Sequence, residues 1–280
     1  MTDTIDPKNW FITGTSRGFG RAFAQAALDR GDRVAATARN VSALADLAAA
    51  FPETLVPLAL DVTDADAARS AVADAEDRLG RLDVVVNNAG YGHFGAVEEV
   101  TDAELRDQLE ANLFGALHVT QAALPGMRER GHGHIVQVSS IGGIGAFANL
   151  GAYHASKWAL EALSESLAVE VARFGIAVTL VEPGGYATDW SGASARHSNP
   201  LGAYDPMRAE AAARRSAQAP GDPTAAAQAL LEIVDADKPP LRVLFGAQAP
   251  GIVRSIYERR LTEWDAWSEL SARAHASVTN

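Results

Sequence analysis

Trp10-Phe11-Ile12-Thr13-Gly14-Thr15-Ser16-Arg17-Gly18-Phe19-Gly20 sets the pattern for the whole chain: an apolar run, a glycine-rich turn, then a helix-period stretch over residues 18–30. The same alternation continues outward. Short runs rich in β-branched residues fall at 10–13, 33–37, 55–60, 82–86, 134–138, 176–181 and 241–245. Longer alanine-rich stretches at 18–30, 65–79, 102–124, 153–172 and 223–234 separate them. Strand runs alternating with helical stretches predict a parallel sheet covered on both faces. Right-handed crossovers then give a doubly wound, Rossmann-type α/β fold of about seven strands in three α/β/α layers. No repeat or linker divides the chain, so residues 1–280 are expected to form one domain. Two segments depart from the pattern. Residues 184–221 are rich in Gly, Ser, Asn and Pro around a helical piece at 207–215, as expected of a lid over a site. Residues 252–275 are expected to form an amphipathic helical extension, with Trp264 and Trp267 packed in the core or against another subunit.

Composition narrows the function. The 280 residues are 48% hydrophobic and 21% charged, ample for a large core, and carry a formal net charge of -11. An acidic surface disfavours nucleic acid and anionic membranes as partners. There is no cysteine, which removes disulfides, thiolate metal sites and cysteine nucleophiles, and fits a reducing compartment. The polar N-terminus does not read as a secretory signal, and no apolar run is long enough to span a bilayer. A cytoplasmic location is expected. His132 and His134 flank Gly133 with no evident third ligand, so no metal site is expected.

The turn at residues 13–20 suits a phosphate. Glycines allow a sharp turn and close approach of a ligand, and the following helix N-terminus offers free N–H groups and partial positive charge. The spacing Gly-x-x-x-Gly-x-Gly differs from the common Gly-x-Gly-x-x-Gly fingerprint. The second strand ends at Arg39 with no acid in the place where many NAD sites bind the ribose 2′-hydroxyl. Arg17 and Arg39 could instead hold a 2′-phosphate, which favours NADP(H) over NAD(H); two ordinary surface arginines are the alternative. Tyr153 and Lys157 lie four residues apart and share a helix face. An ammonium beside a phenol lowers the phenol pKa from about 10, which suits acid–base work near neutrality. A solvated surface pair is the plainer alternative.

Together these residues resemble the short-chain dehydrogenases/reductases over roughly residues 8–245. The matching motifs are Thr13 to Gly20, Asp61-Val62, Asn87-Asn88-Ala89-Gly90, Asn112, Ser140 with Tyr153 and Lys157, and Pro183-Gly184 followed by Thr188. The resemblance implies that Gly14, Thr15, Ser16, Arg17, Gly18, Phe19 and Gly20 form the cofactor turn, with Arg39 beside it. It implies that Asp61 and Val62 contact the adenine, that Asn88, Ala89 and Gly90 line the adenine–ribose side, and that Pro183, Gly184 and Thr188 flank the nicotinamide. It implies catalysis by Tyr153 as proton donor, Ser140 as orienting donor, Lys157 as phenol tuner and ribose ligand, and Asn112 as holder of a relay water. Ser140 is preferred to Ser139 because the family's serine lies thirteen residues before its tyrosine. Dimers or tetramers built on helices near 102–124 and 153–172 are implied as well.

The expected reaction is hydride transfer between a nicotinamide and a carbonyl or secondary alcohol. Phe94, Phe147, Tyr186, Trp190 and Tyr204 should rim the pocket and suit a bulky apolar ketone or aldehyde. An NAD-dependent alcohol dehydrogenase, a nucleotide-sugar epimerase or dehydratase, and a non-catalytic NADPH-sensing regulator are the competing readings.

Overall fold

The computed structural model describes residues 6–216 and 219–275. The sheet strands are β1 (Asn9–Ile12), β2 (Arg33–Ala38), β3 (Leu55–Ala59), β4 (Val84–Asn87), β6 (Gly133–Val138), β7 (Ile176–Pro183) and β9 (Arg242–Phe245); β5 (His93–Phe94) and β8 (Arg196–His197) form a separate pair. The helices are α1 (Gly18–Arg30), α2 (Ala45–Ala50), α3 (Ala65–Leu79), α4 (Asp102–Leu109), α5 (Gly115–Arg130), α6 (Gly151–Val171), α7 (Asp205–Ser216), α8 (Pro223–Asp235), α9 (Ala249–Ala266) and α10 (Ser268–Ala274).

The seven-stranded sheet runs in the order β3-β2-β1-β4-β6-β7-β9, with every pairing parallel. This is the expected Rossmann-type α/β/α arrangement. It forms because the central strands are apolar on both faces. Trp10, Phe11 and Ile12 are buried, as are Val84, Val85 and Val86, and their alternate side chains feed two cores. One core lies under α1 and α8 and the other under α3 and α5. The strand order reverses beside β1, where β1 leads outward to β2 and β4 lies on its other side, so a crevice opens beyond the carboxyl ends of these strands.

Three elements differ from the sequence expectation. The helix expected over 102–124 is α4, a π-helical turn at Glu110–Phe114, and α5. π turns concentrate where a helix must present a side chain off its regular register, and this one carries Asn112. The C-terminal extension is two helices that break at Trp267. Trp264 and Trp267 are not core residues: they are 62% and 61% exposed. The lid is held more than it is folded. Its roots meet where Ala187 N–H donates to Gly221 O at 2.9 Å and Gly221 N–H donates to Gly185 O at 3.0 Å. Its middle is pinned by β8 pairing with β5. Lid residues 217 and 218 lie outside the described residues.

Candidate active site

The glycine turn is shaped by contacts that tolerate no side chain. Gly14 and Gly18 have φ values of 69° and 60°, in the left-handed region. A Cβ at Gly20 would lie 2.4 Å from both Asn88 Nδ2 and the Gly14 carbonyl oxygen. Asn88 explains that closeness, since its side-chain amide donates to Thr13 O at 2.8 Å and Gly14 O at 3.1 Å. Thr13 Oγ1 in turn accepts from the Asn88 and Ala89 N–H groups, each at 2.9 Å. The turn after β1 and the loop after β4 are therefore one welded unit. Asn87 does the same for α5, donating to Thr120 Oγ1 at 2.9 Å.

A cavity of about 1440 Å³ runs along this unit. That exceeds the volume usual for a single drug-sized ligand and leaves room for a dinucleotide and a substrate together. Its walls include Gly14, Ser16, Arg17, Gly18, Phe19, Arg39, Asp61, Val62, Asn88, Ala89, Gly90, Ser140, Tyr153, Lys157, Pro183, Gly184 and Thr188. The donor set and the side-chain-free cradle fit a dinucleotide. Thr15 and Gly20, expected among the cofactor residues, do not line the cavity. Thr15 is buried and its hydroxyl donates to Thr37 O at 3.0 Å, while Gly20 packs the helix against Asn88. Of the two expected phosphate arginines, Arg39 is exposed on the cavity wall and forms no ion pair among the described residues. Arg17 is engaged by the lid through Asp189 at 2.5 Å.

The catalytic candidates gather at the cavity floor. Helix α6 brings Tyr153 and Lys157 onto its buried face, and Ser140 caps the short 3-10 turn Ile141–Gly143 with its hydroxyl accepting from Gly142 N–H at 3.0 Å. The Ser140 hydroxyl donates to the Pro183 carbonyl at 3.4 Å and lies close enough to the Tyr153 phenol to favour its ionised form. Ser139 also lines the cavity, but it is buried beside the Glu161 carboxyl. The expected lowering of the tyrosine pKa is not what this geometry gives. Burial pushes Tyr153 up to about 12, opposed by the Ser140 hydrogen bond. Lys157 sits 5.9 Å from the phenol ring centroid and spends a proton on the Val138 carbonyl at 2.8 Å. Burial pulls Lys157 down to about 8, and the Glu161 carboxyl opposes that shift.

Asn112 lies outside the cavity wall. Its amide donates to Tyr91 O and Ser156 Oγ, each at 3.1 Å, and its carbonyl accepts from Tyr91 N–H at 3.0 Å. It clamps the loop after β4 to α6. A Cβ at Gly90 would lie 2.8 Å from Asn112 Oδ1, so glycine at 90 is what lets the clamp close.

The end of the cavity beside Tyr153 is aromatic. Phe94, Phe147, Tyr186 and Trp190 line the cavity. Trp190 stands edge-on to Tyr153 at 4.9 Å between ring centroids and tilts against Phe94 at 5.3 Å. Tyr204 does not join them: its hydroxyl donates to Glu98 at 2.5 Å on the outer side of the lid. The sequence reading missed His154, a buried wall residue whose Nδ1 accepts from Phe147 N–H at 3.3 Å and whose pKa burial lowers to about 4. It also missed the buried Glu161 and Glu182, both held by Arg242. A carboxylate four residues beyond a buried lysine on one helix was the available signal. His134, which flanks Gly133, is buried and bonds Thr179 Oγ1 at 2.9 Å, and His93 bonds Ser198 Oγ at 2.8 Å.

The family described as short chain dehydrogenase matches residues 8–199. An oxidoreductase of Botryotinia fuckeliana, BOA17, is 42% identical over 268 residues, covering 94% of this chain and 98% of that protein. A short-chain dehydrogenase from Streptomyces avermitilis superposes with a TM-score of 0.88 at 44% identity, over 95% of this chain and 99% of that one. A short chain dehydrogenase from Burkholderia cenocepacia in complex with NADP superposes with a TM-score of 0.74 at 26% identity, over 93% and 97%.

Proposed function

Starting from its place among the short-chain dehydrogenases, to which this chain belongs, we propose an NADP(H)-dependent reductase of bulky apolar ketones or aldehydes. The observation that carries this reading is the cluster of Ser140, Tyr153 and Lys157 at the floor of a cavity whose far end is the glycine turn. A bound nicotinamide supplies or accepts the hydride; the chain supplies the proton, the orientation and the dry surroundings. Tyr153, protonated at neutral pH by its burial, donates its O–H to the substrate oxygen as charge develops there. Ser140 hydrogen-bonds the same oxygen from a fixed backbone turn, as a preorganised donor. Lys157 holds positive charge beneath the phenol and supports the phenolate formed when the proton leaves. Asn112 acts as a positioning residue through its clamp on Tyr91 and Ser156.

Arg39, free on the wall, is assigned to the 2′-phosphate, and the absence of an acid at the end of β2 supports NADPH over NADH. The Burkholderia protein found with NADP supports the same choice. The aromatic wall around Trp190 supports a bulky apolar substrate. A homodimer or homotetramer is the expected assembly, and small molecules are the expected partners. Among the described residues no helix is long and apolar enough to cross a membrane.

Tyr153→Phe tests the assignment. NADPH binding, followed by nucleotide fluorescence, should persist, while kcat on a ketone panel falls roughly 10²- to 10⁴-fold. Turnover equal to the parent protein on a competent substrate would end the acid–base assignment.

A further inference from the structure

The C-terminal helices leave the largest apolar side chains of the chain uncovered. Tyr257, Leu261, Trp264, Trp267 and Leu270 are between 46% and 62% exposed. Single exposed apolar residues are ordinary, but a contiguous set of this size marks a contact surface. Tyr257, Leu261 and Trp264 follow i, i+4, i+7, so they form one stripe along α9. Trp158 on α6 extends it, 42% exposed, with the Arg260 guanidinium 4.8 Å over its ring and 5.7 Å from that of Tyr257.

The stripe belongs to a docked helix and not to a loose tail. The neighbouring face of α9, about a quarter turn round the helix, buries Ala249 and Ile256. Ile256 fills the space over Gly145, and Arg260 donates to the Ile144 carbonyl at 2.6 Å. With one side anchored over the loop before α6, the exposed side has a fixed shape to offer.

Charge selects what it is offered to. Residues 249–260 carry Arg254, Arg259 and Arg260 against Glu258. Residues 261–274 carry Glu263, Asp265 and Glu269 against Arg273. The stripe thus runs from net positive to net negative, and only an antiparallel copy of itself brings each half against its opposite. Arg254 and Asp265 are eleven residues apart, close to three helical turns, so they flank the stripe on the same side. An anionic lipid surface would meet the acidic half as well as the basic one, on a chain of net charge -11. A two-fold contact, by construction, pairs one patch with itself.

We infer that the α9–α10 stripe is a homodimer interface, in which a second copy of this chain lies antiparallel and sets Arg254 of one copy against Asp265 of the other. Trp264 and Trp267 are its anchors, since buried tryptophans dominate such contacts. The inference goes beyond the oxidoreductase reading and survives or fails independently of it. Its α9–α10 part lies outside the helices near 102–124 and 153–172 that the family resemblance implied, while Trp158 lies on the second of them.

Sedimentation velocity on the full chain across micromolar concentrations is the test. The double variant Trp264→Ser/Trp267→Ser should halve the assembly mass, or raise the dissociation constant by at least about tenfold, with the far-UV circular dichroism of the parent. Arg254→Glu should weaken assembly about threefold or more, and adding Asp265→Arg should restore it. A monomeric parent protein overturns the inference, as does a tryptophan variant of unchanged mass. Should the tryptophan variant fail to fold, the charge pair decides: no weakening in Arg254→Glu, or no recovery in the double reversal, overturns it. Co-sedimentation of the parent chain with phosphatidylcholine or phosphatidylserine vesicles, lost in the tryptophan variant with no change of mass, would assign the stripe to lipid and also overturn it.

Discussion

The two walls of the cavity are built on different principles. The wall from β1 and β4 is held by backbone: glycines at left-handed φ, the Asn88 amide on two carbonyls, and Thr13 Oγ1 on two N–H groups. The lid wall is held by side chains reaching across long stretches of sequence, as Asp189 does to Arg17 and Arg208 to Glu99 at 2.6 Å. Backbone contacts fix position to a fraction of an ångström, because backbone cannot rotate away. An ion pair between part-exposed side chains, such as Arg17 and Asp189, fixes position loosely and at little energetic gain. The first wall suits a ligand whose shape never changes, a dinucleotide; the second suits a surface that opens and closes on a variable substrate.

One substitution made in both walls puts that contrast at risk. Gly20→Ala drives a methyl to 2.4 Å from Asn88 Nδ2 and from the Gly14 carbonyl, and the carbonyl is backbone. The expected cost is about 3 kcal/mol, a fall in Tm of at least about 6 °C, with NADPH binding lost as the turn is displaced. Gly185→Ala at the lid root meets nothing within 4 Å and has no left-handed φ. It should leave Tm within about 2 °C of the parent protein. Differential scanning calorimetry reads both. Equal losses at the two positions would show that the lid root is as constrained as the turn.

Arg39 sharpens the comparison on the rigid wall. A cation held on a fixed strand end and free of any ion pair among the described residues is preorganised for a phosphate. Arg39→Ala should lower kcat/KM with NADPH roughly 10- to 100-fold and change kcat/KM with NADH less than about threefold. Equal falls with both cofactors would remove the 2′-phosphate assignment and leave Arg39 as a general electrostatic contributor.

The same contrast explains which parts were legible in the sequence. Runs such as Val84-Val85-Val86 and Ile135-Val136 announce buried parallel strands because burial on both faces demands continuous apolar, β-branched residues. The glycine turn was legible because its geometry is local; Asn88, which bonds Thr13 and Gly14 from far along the chain, came only from the family resemblance. Ser140 over Ser139 required the family offset; the packing of Glu161 beside Ser139 shows only in the fold. Tyr204 was misplaced because nothing in its neighbours shows that Glu98, more than a hundred residues earlier, draws its hydroxyl outward. The tyrosine pKa was misjudged because spacing puts Lys157 on the right face but says nothing of how deeply the phenol is buried, nor that the ammonium donates to the Val138 carbonyl. Asn112 was expected to hold a relay water; here the Tyr91 backbone and Ser156 Oγ take up its amide, contacts 21 and 44 residues away that no local pattern shows.

Arg17 is where the two walls touch, and it yields the subtlest expectation. Its guanidinium rises from the rigid turn, yet its partner, Asp189, belongs to the lid. Asp189 also accepts from Ala193 N–H at 3.0 Å and Ser194 Oγ at 2.9 Å, so its carboxyl organises the lid turn while neutralising Arg17. Asp189→Asn keeps an acceptor for the Ala193 N–H, meets the Ser194 hydroxyl with an amide NH2 that donates to its oxygen, and removes the charge. A phosphate approaching the turn then meets an uncompensated cation, and NADPH should bind about two- to fivefold more tightly at low salt, with the gain shrinking as ionic strength rises. Isothermal titration at two salt concentrations measures it. Weaker binding in the variant would give the ion pair the opposite role, a strap that draws the lid down onto the cofactor turn, and the two walls would have to be treated as one.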